Sequence, residues 1–343
     1  MSHHDLYAIG NALVDSEYEV SEALLRHAQV EKSHMTLIDT ERRTELLHHL
    51  QGISHRRTGG GSAGNTVVAI AQFGGKSFYS CRVAHDELGA FYAEDLRAHG
   101  VETNLNHTRA PQGQTGCCLV LVTPDAERSM STFLGATADL DAASLHPGDI
   151  AKSKVYYMEG YLAASPTGLD AALKGRAMAK EAGVALASTL SDVSMIRFCR
   201  DGLEAMVGQA PDDALDYLFC NEEEALVWCQ TDSLDQVCHD LSQRAKTVCI
   251  TRSAKGCLVL HEGQVHEVPA TATKAVDTNG AGDMFAGAFL YGVTHGYRLQ
   301  DAARLANMAA ARVVSQHGNR LNQDAIASVK QEFAAYLSNP AVV

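Results

Sequence analysis

Val276-Asp277-Thr278-Asn279-Gly280-Ala281-Gly282-Asp283 runs without a break into Met284-Phe285-Ala286-Gly287-Ala288-Phe289-Leu290. Two glycines and an alanine sit between aspartates, and an apolar segment of helical length follows. Glycine lets the backbone turn tightly and approach a ligand, because no Cβ intervenes. A helix starting near Ala281 would aim its free N–H groups and the positive end of its dipole into that turn. Such an end is a ready anion site, with phosphate the usual anion. Asp283 falls in the first helical turn, where the dipole favours the ionised carboxylate. Beside a phosphate that carboxylate is repelled, which suits a base taking the proton of an attacking hydroxyl better than it suits simple binding. The local pattern is met equally well by an ordinary β-to-α turn with Asp283 as a helix-terminal charge.

Upstream, Leu6-Tyr7-Ala8-Ile9 reads as a buried strand ending in Gly10-Asn11-Ala12-Leu13-Val14-Asp15. Asn11 and Asp15 thus lie past a strand's carboxyl end, where ligands bind in open α/β sheets; both residues also favour turns. Residues 21–29 read as a helix, Met35 to Ile38 as a strand, and 40–50 as a helix with Thr40 as its N-cap. Thr58-Gly59-Gly60-Gly61-Ser62-Ala63-Gly64-Asn65 then precedes a buried helix at Val67 to Ala71. Gly59, Gly61 and Gly64 satisfy G-x-G-x-x-G, but the preceding Ile53 to Arg57 is no buried strand, which a dinucleotide fingerprint requires. Gly59 and Gly64 also have P-loop spacing, yet Asn65 stands where the lysine is needed. What remains is a turn that admits a ligand closely, with Asn65 offering donors and an acceptor.

Ser77 to Val83 reads as a strand, Asp86 to His99 as a helix, and Val101 opens another strand. Thr115 to Val122 and Met130 to Leu134 flank a short loop and form a hairpin. This hairpin, with the 12–38 region, is expected to make a small β-lid over the site, so the lid draws on about 12–38 and 105–135. From Lys154 onward strands alternate with helices, which implies a doubly wound, mostly parallel α/β sheet with helices on both faces. A single domain over 1–343 with a lid is expected. Asn221 and Glu224, spaced N-x-x-E at a helix start, could orient a hydrated Mg²⁺ or be a solvated helix terminus. Thr251 to Gly256, with Arg252 and Lys255, could hold nucleotide phosphates, although a lysine there is also an ordinary surface residue.

Composition narrows the partners. Forty-one acidic against 28 basic side chains give a net charge of −13, which argues against nucleic acid or an anionic membrane. The nine cysteines include no C-x-x-C, consistent with buried free thiols in a reducing, cytoplasmic compartment. No apolar run approaches 18 residues, and no signal peptide opens the chain. An uncovered lid edge could pair with a second copy, so monomer and homodimer are both open.

The ordered set resembles the ribokinase-like (PfkB-type) carbohydrate kinases over nearly the whole chain. Asp277 to Asp283 is similar to that family's carboxy-terminal signature. Gly59 to Asn65, and Gly74-Gly75 with Asp86 to Gly89 beyond, lie near its amino-terminal one. The resemblance implies that Asp283 deprotonates the acceptor hydroxyl, with the N–H groups of Gly280, Ala281 and Gly282 as the anion hole. It implies that Asn11, Asp15, Gly61 and Asn65 hold sugar hydroxyls, and that Asn221 and Glu224 organise Mg²⁺. Thr251, Lys255 and Gly256 would approach the ATP phosphates, Asn307 the adenine, and Asp277 a monovalent-cation loop binding K⁺. Arg128, on the hairpin, would clamp phosphate as the lid closes. Gly10 to Asp15 looks like the adenosine-kinase branch, where Tyr161 would stack on the base and Cys118 lie nearby. Both could instead be core residues. The implied acceptor is a nucleoside 5′-hydroxyl, with ribose or a ketose as the alternative.

Overall fold

Leu6, Tyr7, Ala8 and Ile9 are wholly buried, as an unbroken apolar run in a sheet covered on both faces must be. They lie in the first strand of the computed structural model of the protein, which describes residues 4–106, 110–125, 127–208 and 213–338. In chain order the strands are β1 (His4–Ile9), β2 (Leu13–Glu19), β3 (Met35–Leu37), β4 (His55–Gly60), β5 (Ser77–Ser80), β6 (Glu102–Thr103) and β7 (Cys117–Val122). They continue as β8 (Arg128–Phe133), β9 (Ser153–Met158), β10 (Ala185–Thr189), β11 (Leu215–Asn221), β12 (Ala245–Thr251), β13 (Cys257–His261) and β14 (Gln264–Val268).

The main sheet has the order β14-β13-β12-β11-β10-β9-β1-β5-β6. Its strands are parallel from β12 to β6, and β13 and β14 add antiparallel at one edge. Successive residues of β1 point to opposite faces. Leu6 and Ala8 enter one apolar cluster, with the helices Ser62–Phe73, Ala281–Thr294 and Leu299–Val314. Tyr7 and Ile9 enter a second, with the helix Pro166–Glu181. The fold is the expected ribokinase-like α/β arrangement.

The hairpin β7–β8 and the 12–38 region share a second sheet, ordered β3-β8-β7-β2-β4; within the 105–135 stretch, residues 107–109 and 126 lie outside the described residues. One face of this sheet is buried by Tyr18, Cys117, Leu119 and Leu121 under the helices Glu22–His27 and Thr40–His49. Strand periodicity sends Asp15, Glu17, Cys118 and Arg128 to the other face.

Three local expectations change. His55 to Gly60 is a strand after all, but its outer residues are largely exposed and it pairs antiparallel with β2 at a sheet edge. Gly59 and Gly60 therefore end an antiparallel edge strand of the second sheet, and Gly61 and Gly64 follow it, where a dinucleotide unit would have a parallel strand. The helix read over 40–50 is capped by Asp39, whose side chain accepts from the Arg42 N–H, and Thr40 is its first residue. The strand at Ser77 ends at Ser80, three residues early.

Candidate active site

Packing of two helices sets the geometry. A Cβ on Gly287 would stand 2.6 Å from Ala69 Cβ and 2.8 Å from the Thr66 carbonyl, so only glycine allows the Ala281 and Ser62 helices to approach so closely. Asp283 lies one turn before Gly287, and Ser62 one turn before Thr66. Their N-terminal turns consequently face each other. Ser62 Oγ donates to Asp283 Oδ1 at 2.6 Å, and Asn65 Nδ2 donates to Oδ2 at 2.9 Å. Burial pushes the Asp283 carboxyl up to about 6, against the lowering effects of Ser62, Asn65 and the Arg320 charge.

The turn before Asp283 depends on Gly280, which has φ +74 and would bring a Cβ within 2.6 Å of the Asn319 carbonyl. Ala281 N–H, expected in the anion hole, donates to Thr278 O at 3.3 Å. The N–H groups of Gly280, Gly282 and Asp283 have no partner among the described residues. Gly282 faces open space. The helix start thus presents unpaired donors beside a carboxylate held near neutrality.

Around this centre the structure gathers Asn11, Asp15, Gly61 and Asn65. Gly61, at φ +83, would place a Cβ 2.0 Å from the Asn11 carbonyl, so it joins β4 to the Ser62 helix in a way a larger residue cannot. Asn11 Nδ2 donates to Glu159 Oε1 at 2.9 Å, and Thr137 Oγ1 donates to Asn11 Oδ1 at 3.3 Å. Asp15 accepts from Asn319 Nδ2 at 3.0 Å. Burial pushes Asp15 up to about 7, opposed by Arg320 and Arg128 and reinforced by Asp283.

Arg128 is already engaged. It pairs with Glu17 at 2.6 Å and with Asp277 at 3.1 Å, joining the second sheet to the 277–283 turn. Asp277 also accepts from the N–H groups of Asn279 at 3.1 Å and Gly318 at 2.9 Å. With an arginine and two donors on this carboxylate, its side chain is poorly suited to a cation.

A second group lies at neighbouring carboxyl ends of the main sheet, where Asn221 and Thr251 are in register. Asn221 and Glu224 form a reciprocal cap: Asn221 Oδ1 accepts from the Glu224 N–H at 2.8 Å, and Glu224 Oε2 accepts from the Asn221 N–H at 3.1 Å. Burial pushes Glu224 up to about 7, with Asp192 and Glu223 adding to it and the Asn221 bonds opposing. Gly256, at φ +88, would set a Cβ 2.1 Å from the Val268 carbonyl. Arg252 pairs with Glu267 at 2.9 Å and Glu222 at 3.4 Å, while exposed Lys255 lies 3.7 Å from Glu222. Asn307 Nδ2 donates to the carbonyls of Val268 and Pro269, both at 3.1 Å, and anchors the end of β14.

Cys118 stands opposite Asp15 in the second sheet, and its thiol is pushed up by burial. Tyr161 packs on the apolar cluster beneath the Pro166 helix, with its phenol against Asp192 and within the field of Asp283. Neither lines the open cleft of roughly 590 Å³ bordered by Leu37, Phe133, Leu134, Arg82, Gln114 and the residues flanking Thr137. That cleft is of ordinary ligand size.

Sequence reasoning passed over Ser62, Glu159, Asn319 and Arg320. Glu159 is buried, and accepts from the Ala63 N–H at 2.8 Å besides both nitrogens of Asn11. Its position directly after a buried strand was the available signal. Asn319 and Arg320 reach the site only through the loop after the Leu299 helix, which no local motif marks.

A family model for pfkB family carbohydrate kinases matches residues 29–326. The solved probable sugar kinase protein from Rhizobium etli CFN 42 is 35% identical, with a TM-score of 0.86, covering 97% of this chain and 99% of that one. The solved adenosine kinase from Sinorhizobium meliloti is 33% identical, with a TM-score of 0.86, covering 96% and 99%. Adenosine kinase 1 from Arabidopsis thaliana is 26% identical over 91% of this chain and 94% of its own. The fold, the helix-terminal turn and the family match agree: the chain belongs to the pfkB family of carbohydrate kinases and is an ATP-dependent kinase.

Proposed function

We propose that this kinase transfers the γ-phosphoryl of ATP to a primary alcohol, with a nucleoside 5′-hydroxyl as the preferred acceptor and Asp283 as the base. The observation that carries the reading is the Asp283 carboxylate, held by Ser62 and Asn65 beside unpaired helix-terminal N–H groups. The acceptor oxygen attacks phosphorus as Asp283 takes its proton, the bond from phosphorus to the bridging oxygen of ADP breaks, and ADP leaves. The N–H groups of Gly282 and Asp283, with Gly280 shaping the turn, stabilise charge on the transferring group. Asn11, Asp15, Gly61 and Asn65 orient the acceptor.

Thr251, Gly256, Lys255 and Asn307 are assigned to the nucleotide side. Glu224 and Asn221 are assigned to a hydrated Mg²⁺, which the buried carboxylate would meet through water, since both its oxygens accept from Asn221 in the cap. When bound, Mg²⁺ neutralises phosphate charge. Arg128 opposes a K⁺ ion at the Asp277 side chain, and the reading needs none. The second sheet acts as a lid on a single kinase domain, and its closure excludes water. Arg128 would exchange its Asp277 contact for phosphate at that point.

A nucleoside is favoured by the likeness to the Sinorhizobium meliloti adenosine kinase and by an open cleft of mixed apolar and polar lining on either side of Thr137, whose hydroxyl bonds Asn11. A free-sugar acceptor is the second reading, favoured by the likeness to the Rhizobium etli protein. Measuring ADP release with Mg-ATP across adenosine, inosine, guanosine, ribose and fructose separates them. Turnover with a nucleoside and none with ribose is expected. Turnover with a free sugar only would discard the nucleoside reading.

A further inference from the structure

Arg320 has no part in the chemistry so far, yet its side chain is nine-tenths buried beside the base. Its Nε donates to Asn65 Oδ1 at 3.1 Å, one terminal nitrogen pairs with Asp95, and the other has no partner among the described residues. Asn65 passes the contact on, since its Nδ2 donates to Asp283 Oδ2. An amide whose oxygen is committed to Arg320 can present only its NH₂ to the carboxylate. Adjacent residues tie the same loop to the site, Asn319 to Asp15 and Gly318 to Asp277.

We propose that Arg320 is a positioning residue for the base: it locks the Asn65 amide in the orientation that donates to Asp283 and sets a buried positive charge opposite Asp283 and Asp15. The inference rests on Asp283 being the base. Groups facing Asp283 are Ser62 and Asn65 from the Ser62 helix, Asp15 from β2, Tyr157 from β9, Glu159 and Tyr161 from the segment after it, and Arg320. Arg320 is the positive charge among them. Facing Arg320 are Asp95 and Tyr92 from the helix Glu87–Ala98, together with Asp15 and Asp283.

The test is steady-state kinetics on Arg320→Met and Arg320→Lys, each alone and in an Asn65→Ala background, with Asp283→Asn alongside. Mg-ATP is used with the acceptor that turns over in the panel above, adenosine first. Arg320→Met should lower kcat by roughly 10- to 100-fold, the loss of one charge-assisted hydrogen bond, and leave KM for ATP unchanged. Removing the positive charge raises the pKa of Asp283, so the acid limb of the kcat profile should move to higher pH. Arg320→Lys should keep the acid limb near its original position and still lose kcat, because lysine lacks the planar fork. In the Asn65→Ala background, Arg320→Met should cost less in kcat than it does alone, while its charge effect on the acid limb persists.

Fully additive losses, an unmoved acid limb, or undiminished kcat in Arg320→Met would overturn the proposal. Should Arg320→Met fail to fold, undiminished kcat in Arg320→Lys overturns it equally. Turnover persisting in Asp283→Asn removes the base and the proposal together. An inactive Asp283→Asn beside an unaffected Arg320→Met removes only the proposal.

Discussion

Ser62 donates to Asp283 at 2.6 Å and thereby favours the ionised carboxylate. Ser62→Ala should raise the Asp283 pKa further, so kcat should fall more at pH 6 than at pH 8, by roughly tenfold at the lower pH for one lost hydrogen bond to a charged group. Equal losses at both pH values would place Ser62 elsewhere in the reaction. Glu159 gives a stability prediction. Burial lifts its carboxyl from 4.5 to about 7, so the folded state holds a proton that the unfolded chain has released. Stability from this group is therefore full below about pH 4.5 and falls as pH rises towards 7, by roughly 3 kcal/mol. Thermal melts of Glu159→Gln should show a smaller gap between pH 5 and pH 8 than the parent chain. At this scale Asp283, Asn65 and Asp15 were legible, because glycine and helix-start chemistry mark them locally. Ser62 was hidden among ordinary turn residues, and Arg320 lies 255 positions from the asparagine it holds.

Elements were legible where burial is two-sided and obscure where it is not. The apolar runs of β1, β9 and β12 announce themselves, and so does the helix after Gly280. His55 to Gly60 reads as polar and Gly-rich, with no alternation, because an exposed edge strand has few side chains to bury. Thr40 and Asp39 are both capping residues, and only the backbone decides between them; Asp39 is extended and accepts the Arg42 N–H. The junction at Gly61 is more demanding. Gly61→Ala would force a Cβ to within 2.0 Å of the Asn11 carbonyl in a left-handed conformation. It should cost at least roughly 1–3 kcal/mol and misplace Asn11, measured as a lower melting temperature with a raised acceptor KM. An unchanged melting temperature and KM would mean that the turn relaxes freely.

Across the whole molecule, Arg128 joins the second sheet to the catalytic turn through Glu17 and Asp277. Arg128→Met should lower kcat about tenfold, the size of one charge-assisted contact to phosphate, and increase ATP hydrolysis per acceptor phosphorylated. Undiminished coupling would separate the second sheet from water exclusion. The doubly wound architecture could be read from strand and helix alternation, and the second sheet from the hairpin that interrupts it, although β2, which carries Asp15 into that sheet, reads as a turn. The β4 contribution and the loop after the Leu299 helix could not, because long-range contacts create them. The central claim is that Asp283 takes the acceptor proton, and the most direct measurement pairs ATP affinity with turnover in Asp283→Asn. The account predicts a dissociation constant for ATP within about threefold of the parent and a kcat lower by at least roughly 10²- to 10⁴-fold. Parent-like turnover in that variant would contradict it.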